Sequence, residues 1–325
     1  MAKYTVRQSL SLSGDVEISG SKNAVLPIMA AALLTDERCE IADVPALRDV
    51  DVMCGLLRGI GARVNEFYND KVIEITTAEI ASEEAPNELV KKMRASVLVM
   101  GPLLARTGRA RIALPGGCAI GTRPIDLHLK GLKALGAQIA SENGYVIAVA
   151  ERLRGANIYL DSPSVGATEN ITMAAVLAEG TTVIENAAEE PEIVDMVNFL
   201  NKMGARIKGA GTDTIRIEGV KKLSGAKHAV IPDRIETGTF MLAAAITRGR
   251  VRIKNAVPDH VKPVTAKLKE CGVSVELADD GMTVDARHGV LVSADIKTLP
   301  YPGFPTDIQS QFMAFLTTVR GSGLV

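Results

Sequence analysis

Tryptophan is absent from the 325 residues, and five tyrosines and six phenylalanines are the whole aromatic complement. So few rings leave little with which to stack nucleobases, which disfavours RNA platforms built on aromatic faces. No run of about 18 apolar residues occurs, so no helical membrane span is expected. The first residues, MAKYTV, lack the long apolar core of a secretory leader. Cys39, Cys54, Cys118 and Cys271 stand far apart with no CxxC, which argues against a zinc site and against a disulfide framework. Charge of one sign is missing too. Lys and Arg number 37 against 38 Asp and Glu, so no global field draws the chain to nucleic acid or membrane, and any anion site must be local. His128, His228, His260 and His288 form no metal-spaced pair and read as structural or surface residues, His128 alone adjoining a motif described below. Neither a metal nor a cofactor is expected. What remains is a cytoplasmic protein of about two domains, with a core of Ala, Val, Leu, Ile and Met.

What is present is repetitive. Five segments share one text, a small-residue apolar helix, a turn and a β-rich strand: 26–41, 97–112, 172–184, 241–253 and 312–325. Gly108, Gly180, Gly249 and Gly321 mark the turn at spacings of 72, 69 and 72, with Glu37 in that place 71 residues before the first of them. A second text follows in four units, an amphipathic helix ending in glycine before a strand: GIGARV (59–64), ALGAQI (134–139), KMGARI (202–207) and ECGVSV (270–275). Glycine just past a helix fits the left-handed C′ position. The units read as βαβαββ repeats of about 70 residues, an α/β architecture in which a few units share a helical core. By this period the chain stops midway through a fifth unit, and a sixth is expected beyond Val325.

One segment breaks the pattern chemically. Residues 114–123, LPGGCAIGTR, place Cys118 among glycines, five positions before Arg123. A thiol serves as nucleophile or proton donor when a cation lowers its pKa and water reaches it. Cys39, Cys54 and Cys271 sit in predicted strands or helices and read as packing residues.

With loop and repeats in view, the chain resembles the UDP-N-acetylglucosamine 1-carboxyvinyltransferase family, cytosolic enolpyruvyl transferases that open peptidoglycan precursor synthesis. The likeness rests on SGSKNAVLP (19–27), VKKMRAS (90–96), LPGGCAIGTRPIDLH (114–128), DSPSVGATEN (161–170), ENAAEEPEIVD (185–195), PDRIETGTF (232–240) and FPTDIQSQF (304–312). It implies the two-lobed enolpyruvyl transferase fold, an inside-out α/β barrel with buried helices and sheets outside. One lobe would be residues 22–231. The other, of about one and a half units, would be 1–21 plus 232–325, with the first strand crossing over to join it. Ligands would sit in a closing cleft between lobes.

The implied reaction moves the enolpyruvyl group of phosphoenolpyruvate onto the 3-hydroxyl of UDP-N-acetylglucosamine by addition and elimination, releasing phosphate. It calls for cations, an acid and a base. The resemblance makes Lys22, Asn23, Cys118 and Arg123 phosphoenolpyruvate ligands. It makes Cys118 the proton donor and the thiol that adds reversibly to phosphoenolpyruvate, and the mark of fosfomycin sensitivity. Arg94, Arg123, Pro124, Ile125, Asp126, Leu127, Ser164 and Val165, with Gly166, would contact the nucleotide sugar. Asp307 would be the base facing the sugar hydroxyl. The catalytic set is then Lys22, Cys118, Arg123 and Asp307. Taken without the resemblance, Lys22 reads as a solvated lysine, Arg123 and Arg94 as ion-pair residues, and Asp307 as a helix N-cap. Some members carry lysine where this chain has Ser162, so no ion-pair role passes to Ser162. Asp233, Arg234 and Glu236 are expected in an inter-lobe network. No obligate protein partner is implied. Rival readings are a nucleotide-sugar binding protein without turnover, an inactive fragment of the enzyme, and an RNA-end-modifying enzyme. Near-neutral charge and scattered histidines speak against the last.

Overall fold

The computed structural model describes residues 3, 5–8, 11–90, 93–113 and 125–325. One grammar recurs along them. The chain runs β1 (Ser13–Glu17), α1 (Lys22–Ala31), β2 (Cys39–Ala42), α2 (Arg48–Ile60) and the hairpin β3 (Arg63–Phe67) and β4 (Val72–Thr76). A short α3 (Asn87–Val90) and a 3-10 stretch (Arg94–Val99) lead into α4 (Met100–Thr107), β5 (Arg109–Ala113), α5 (Asp126–Ala134), β6 (Gln138–Glu142) and β7 (Tyr145–Val149). Next come β8 (Asn157–Tyr159), α6 (Val165–Ala175), β9 (Thr181–Glu185), α7 (Pro191–Lys202), β10 (Arg206–Lys208) and β11 (Thr214–Glu218). The last full set is β12 (Lys227–Ala229), α8 (Arg234–Ile246), β13 (Arg250–Lys254), α9 (Lys262–Glu270), β14 (Ser274–Ala278) and β15 (Gly281–Asp285), after which α10 (Gln309–Leu316) follows a 3-10 turn.

The sheets repeat one order. A parallel pair is extended by an antiparallel hairpin in β12-β2-β4-β3, in β8-β9-β11-β10 and in β1-β13-β15-β14, while β5-β7-β6 has only the parallel bridge Glu84–Arg111 in place of a first strand. Two of the parallel partners are far away in sequence. β12 pairs with β2 (Lys227 opposite Glu40), and β1 pairs with β13 (Ser13 opposite Arg250 through Glu17 opposite Lys254).

Two compact units result, Gly20–Ile231, and Met1–Ser19 with Pro232–Val325. In the first, α1 is buried from Ala24 to Ala31 and α6 from Ala167 to Ala175. Helices buried on every side are stable only inside a protein, and neighbouring helices cover them, α2 and α7 packing on α1 and α4, α5 and α7 on α6. α2 shows the contrasting amphipathic type, with Val50, Met53, Leu56, Leu57 and Ile60 inward and Arg48, Asp49 and Asp51 in its polar first turn. The second unit packs its own core, in which Phe304, Phe312 and Phe315 meet edge to face at centroid distances of 5.3 and 5.8 Å.

The four glycines after the second helices, Gly61, Gly136, Gly204 and Gly272, all take positive φ, as expected of C′ residues. Gly249 departs from its repeat-mates. The left-handed residue is Arg248, at φ 53°, and Gly249 is needed for a different reason: a Cβ there would collide with the carbonyl oxygen of Leu12. That close approach lets the segment before β1 enter the sheet, with Arg250 N–H donating to Leu12 O at 2.9 Å.

Candidate active site

Cys118, Arg123 and Pro124 lie outside the described residues. The other three cysteines are buried, and burial raises their thiols to about 11 for Cys39, about 12 for Cys54 and about 11 for Cys271. Such thiols stay protonated and inert at neutral pH.

Lys22 and Asn23 open α1, the chain entering in extended conformation at Ser21. The Lys22 ammonium lies 3.5 Å from the Asp49 carboxylate with both side chains well exposed, so the pair contributes little to stability. Beneath it the Ser21 hydroxyl is buried without a hydrogen bond.

A second group of expected residues converges around His128. Ile125 is buried at the entry to α5, and Asp126, Leu127 and His128 form its first turn. His128 is 2% exposed. Its Nδ1 stands 3.0 Å from Nδ2 of Asn170, on α6. The backbone N–H of Gly101 donates to Asn170 Oδ1 at 2.6 Å, so the amide is oriented with its NH2 toward Val97 O (3.0 Å) and His128. His128 Nδ1 therefore accepts, and the proton sits on Nε2. Burial first, then the nearby Arg94 guanidinium, lowers His128 to about 4, so the ring is neutral at physiological pH. Against its Nε2 edge lies Gly166, where a Cβ would stand 3.2–3.3 Å from Cε1 and Nε2. Ser164 caps α6 just before, accepting from Ala167 N–H at 3.4 Å. Arg94, Asp126, Leu127, Ser164, Val165 and Gly166 are thus brought together around one neutral histidine. Asn170 was missed as a site residue at the level of sequence, although the polar run Thr168–Glu169–Asn170 inside an apolar helix was its signal.

Asp307 does not cap a helix. It lies within the 3-10 turn Thr306–Ile308, and α10 starts only at Gln309, so the capping position falls on Ile308. Asp307 is exposed, its backbone carbonyl accepts from Gln311 Nε2 at 3.0 Å, and nothing among the described residues engages its carboxylate. Asp233 is the cap instead, accepting from Ile235 and Glu236 N–H at 2.8 and 3.0 Å. Glu236 in turn accepts from the Ser19 N–H (3.0 Å) and the Ser19 hydroxyl, a bond inside the unit that holds β1. Arg234 stacks 5.7 Å from the Tyr301 ring centroid. Ser162 is exposed beside Asp161, which pairs with Lys130 at 2.8 Å.

His228 is structural, as expected. Lys202 donates to its Nδ1 (3.1 Å), its Nε2–H donates to Asp195 Oδ1 (2.8 Å), and Asp195 Oδ2 accepts from Ile231 N–H (3.2 Å). The arrangement pins β12 rather than activating a nucleophile. A groove of about 420 Å³ lined by Pro263, Ala266, Lys267, Ile296, Phe304 and Leu324 holds none of the expected site residues. Among the described residues no helix is long and apolar enough to cross a membrane.

The repeated βαβαββ fold has known counterparts. The profile of the EPSP synthase (3-phosphoshikimate 1-carboxyvinyltransferase) family matches residues 6–324. The fold superposes on the enolpyruvyl transferase NikO from Streptomyces tendae with a TM-score of 0.84 at 24% identity, over 96% of this chain and 74% of that one. An EPSP synthase from Acinetobacter baumannii gives 0.68 at 19%, over 94% and 70%. The fold is that of the enolpyruvyl transferases. At much higher identity stand UDP-N-acetylglucosamine 1-carboxyvinyltransferase 1 of Caldanaerobacter subterraneus (60% over 99% of this chain and 77% of the relative) and UDP-N-acetylglucosamine 1-carboxyvinyltransferase 2 of Carboxydothermus hydrogenoformans (59% over 100% and 77%). The chain belongs to the UDP-N-acetylglucosamine 1-carboxyvinyltransferases, a family of transferases.

Proposed function

We propose that this chain transfers the enolpyruvyl group of phosphoenolpyruvate to the 3-hydroxyl of UDP-N-acetylglucosamine, releasing phosphate, as the first committed step of peptidoglycan synthesis in the cytoplasm. The observation that carries this reading is 60% identity over 324 residues to a curated relative bearing that transferase name. Retention of Lys22, Asn23, Arg94, Cys118, Arg123 and Asp307 in their motifs supports it. In the addition step the sugar oxygen bonds to C2 of phosphoenolpyruvate as Asp307 takes the hydroxyl proton. Cys118 delivers a proton to C3, the π electrons forming the new C–H bond. In the elimination step C3 loses a proton, the C2–C3 double bond returns, and the C2–O bond to phosphate breaks. Lys22 and Arg123 balance the phosphate charge, guanidinium suiting it bidentately. Arg94, Ile125, Asp126, Leu127, Pro124, Ser164 and Val165 bind the nucleotide sugar. Fosfomycin sensitivity through Cys118, and a role in cell-wall biogenesis, cell shape and division, follow from the same reading.

The test is phosphate release from phosphoenolpyruvate with and without UDP-N-acetylglucosamine. Release is expected only with both, and Asp307→Ala is expected to lower kcat by about 10²–10⁴-fold while nucleotide-sugar binding survives in part. Sugar-independent release, or near-normal turnover by Asp307→Ala, would overturn the assignment.

A further inference from the structure

Asp195 is a carboxylate placed where burial makes one costly. It lies on α7 at 3% exposure, and its two oxygens accept from two donors, His228 Nε2–H at 2.8 Å and Ile231 N–H at 3.2 Å. An apolar pair of like volume often holds two elements together as well as a buried polar pair does. Pinning β12 to α7 therefore does not by itself call for a carboxylate. Beyond the histidine, Asp195 reaches the backbone of Ile231, and from there the hydrogen bonds run to α1. Ile231 O accepts from Ser21 N–H at 2.8 Å, and Ser21 O accepts from Val25 N–H at 2.9 Å, at the start of the helix. No side chain among the described residues caps α1, so its first turn is placed by backbone contacts. Gly20 makes one of these, since a Cβ there would collide with Asp43 O, and Ser21 makes the other with Ile231. Lys22 and Asn23 come next.

We propose that Asp195 is a positioning residue for phosphoenolpyruvate: by fixing Ile231 it orients Ser21, and with it the peptide that carries Lys22. The inference rests on the functional reading above, which sets Lys22 against the phosphate. His228 fixes the polarity of the relay. Its Nδ1 faces Lys202 Nζ at 3.1 Å, and an ammonium can only donate, so the ring proton is held on Nε2. Asp195 must then accept at both oxygens. Asparagine cannot, because one arm of its amide is a donor.

Asp195→Asn sets donor against donor, at His228 or at Ile231. Adding Lys202→Gln relieves the conflict, because a glutamine oxygen lets the ring proton move to Nδ1. Nε2 then accepts from the asparagine NH2, and the asparagine oxygen again accepts from Ile231 N–H. Phosphate release is measured on the full chain and its variants against each substrate, with the melting temperature of each variant. Asp195→Asn is expected to raise KM for phosphoenolpyruvate about tenfold and to leave KM for UDP-N-acetylglucosamine within about twofold. Lys202→Gln alone should stay within about twofold of the parent for both, and the double variant should return to within about threefold. A loss shared equally by both substrates, or a lowered melting temperature with unchanged KM, would make the carboxylate an internal strut and overturn the proposal. A double variant no better than Asp195→Asn would do the same. If Asp195→Asn does not fold, the apolar pair Asp195→Leu with His228→Leu decides. It takes the acceptor from Ile231 without leaving a buried charge, so KM for phosphoenolpyruvate should still rise, and a parental value overturns the proposal. Failure of the parent chain to release phosphate with both substrates present would overturn the functional reading itself, whereas an active parent with indifferent variants overturns this inference alone.

Discussion

Glu169 and Asn170 are neighbours on α6, both buried, and their surroundings treat them oppositely. Asn170 satisfies its amide oxygen and both N–H groups. Glu169 leaves Oε1 without a partner, and burial, followed by the Glu192 and Glu190 carboxylates, raises its pKa well above the ordinary value. A raised carboxyl pKa means that the folded state holds a proton the unfolded state has lost. Its contribution is therefore harmless at acid pH and increasingly unfavourable as pH climbs above about 4.5, until the folded pKa is reached. Glu169→Gln should melt with the parent near pH 4 and above it at pH 8, the gap widening between. A pH-independent gap in a melting series would show that Glu169 is not held neutral. The chemistry of these two residues was hidden in the sequence. A polar run in an apolar helix was visible, but the partners of Asn170 lie 42 to 73 positions away, on elements whose proximity only the packing reveals.

At the level of the elements, the glycine spacing and apolar helices made the repeat legible, because small residues let helices approach and glycine ends them at left-handed φ. Gly249 shows where that reading fell short. Its period marked it as a turn glycine, yet Arg248 adopts the left-handed conformation and Gly249 makes room for Leu12. Gly249→Ala should lower the melting temperature by roughly 3–10 °C, an overpacking cost of about 1–3 kcal/mol. Arg248→Gly should be tolerated, since a non-glycine residue at positive φ gains nothing by staying there. Thermal denaturation of the two variants gives the comparison, and equal losses would contradict it. Asp307 failed as a cap for a related reason: an intervening 3-10 turn displaces the helix start by one residue, a shift that propensity does not register.

For the molecule as a whole, chain order and spatial order differ. β1 belongs to the sheet of Pro232–Val325, and the Glu236 carboxylate holds Ser19 at its end. Removing residues 1–19 should therefore raise hydrogen exchange and protease cleavage in 232–325 while 20–231 keeps its protection. Loss of protection first in 20–231 would refute that assignment. Such pairings could not be read from periodicity, which ranks neighbours along the chain and says nothing of which distant strand closes a sheet. They also set a timetable for synthesis. β1 leaves the ribosome roughly 240 residues ahead of β13, its hydrogen-bonding partner. At about 5–20 residues per second it waits on the order of 10–50 s with its edge unpaired, so the nascent protein depends on whatever shields that strand until translation catches up.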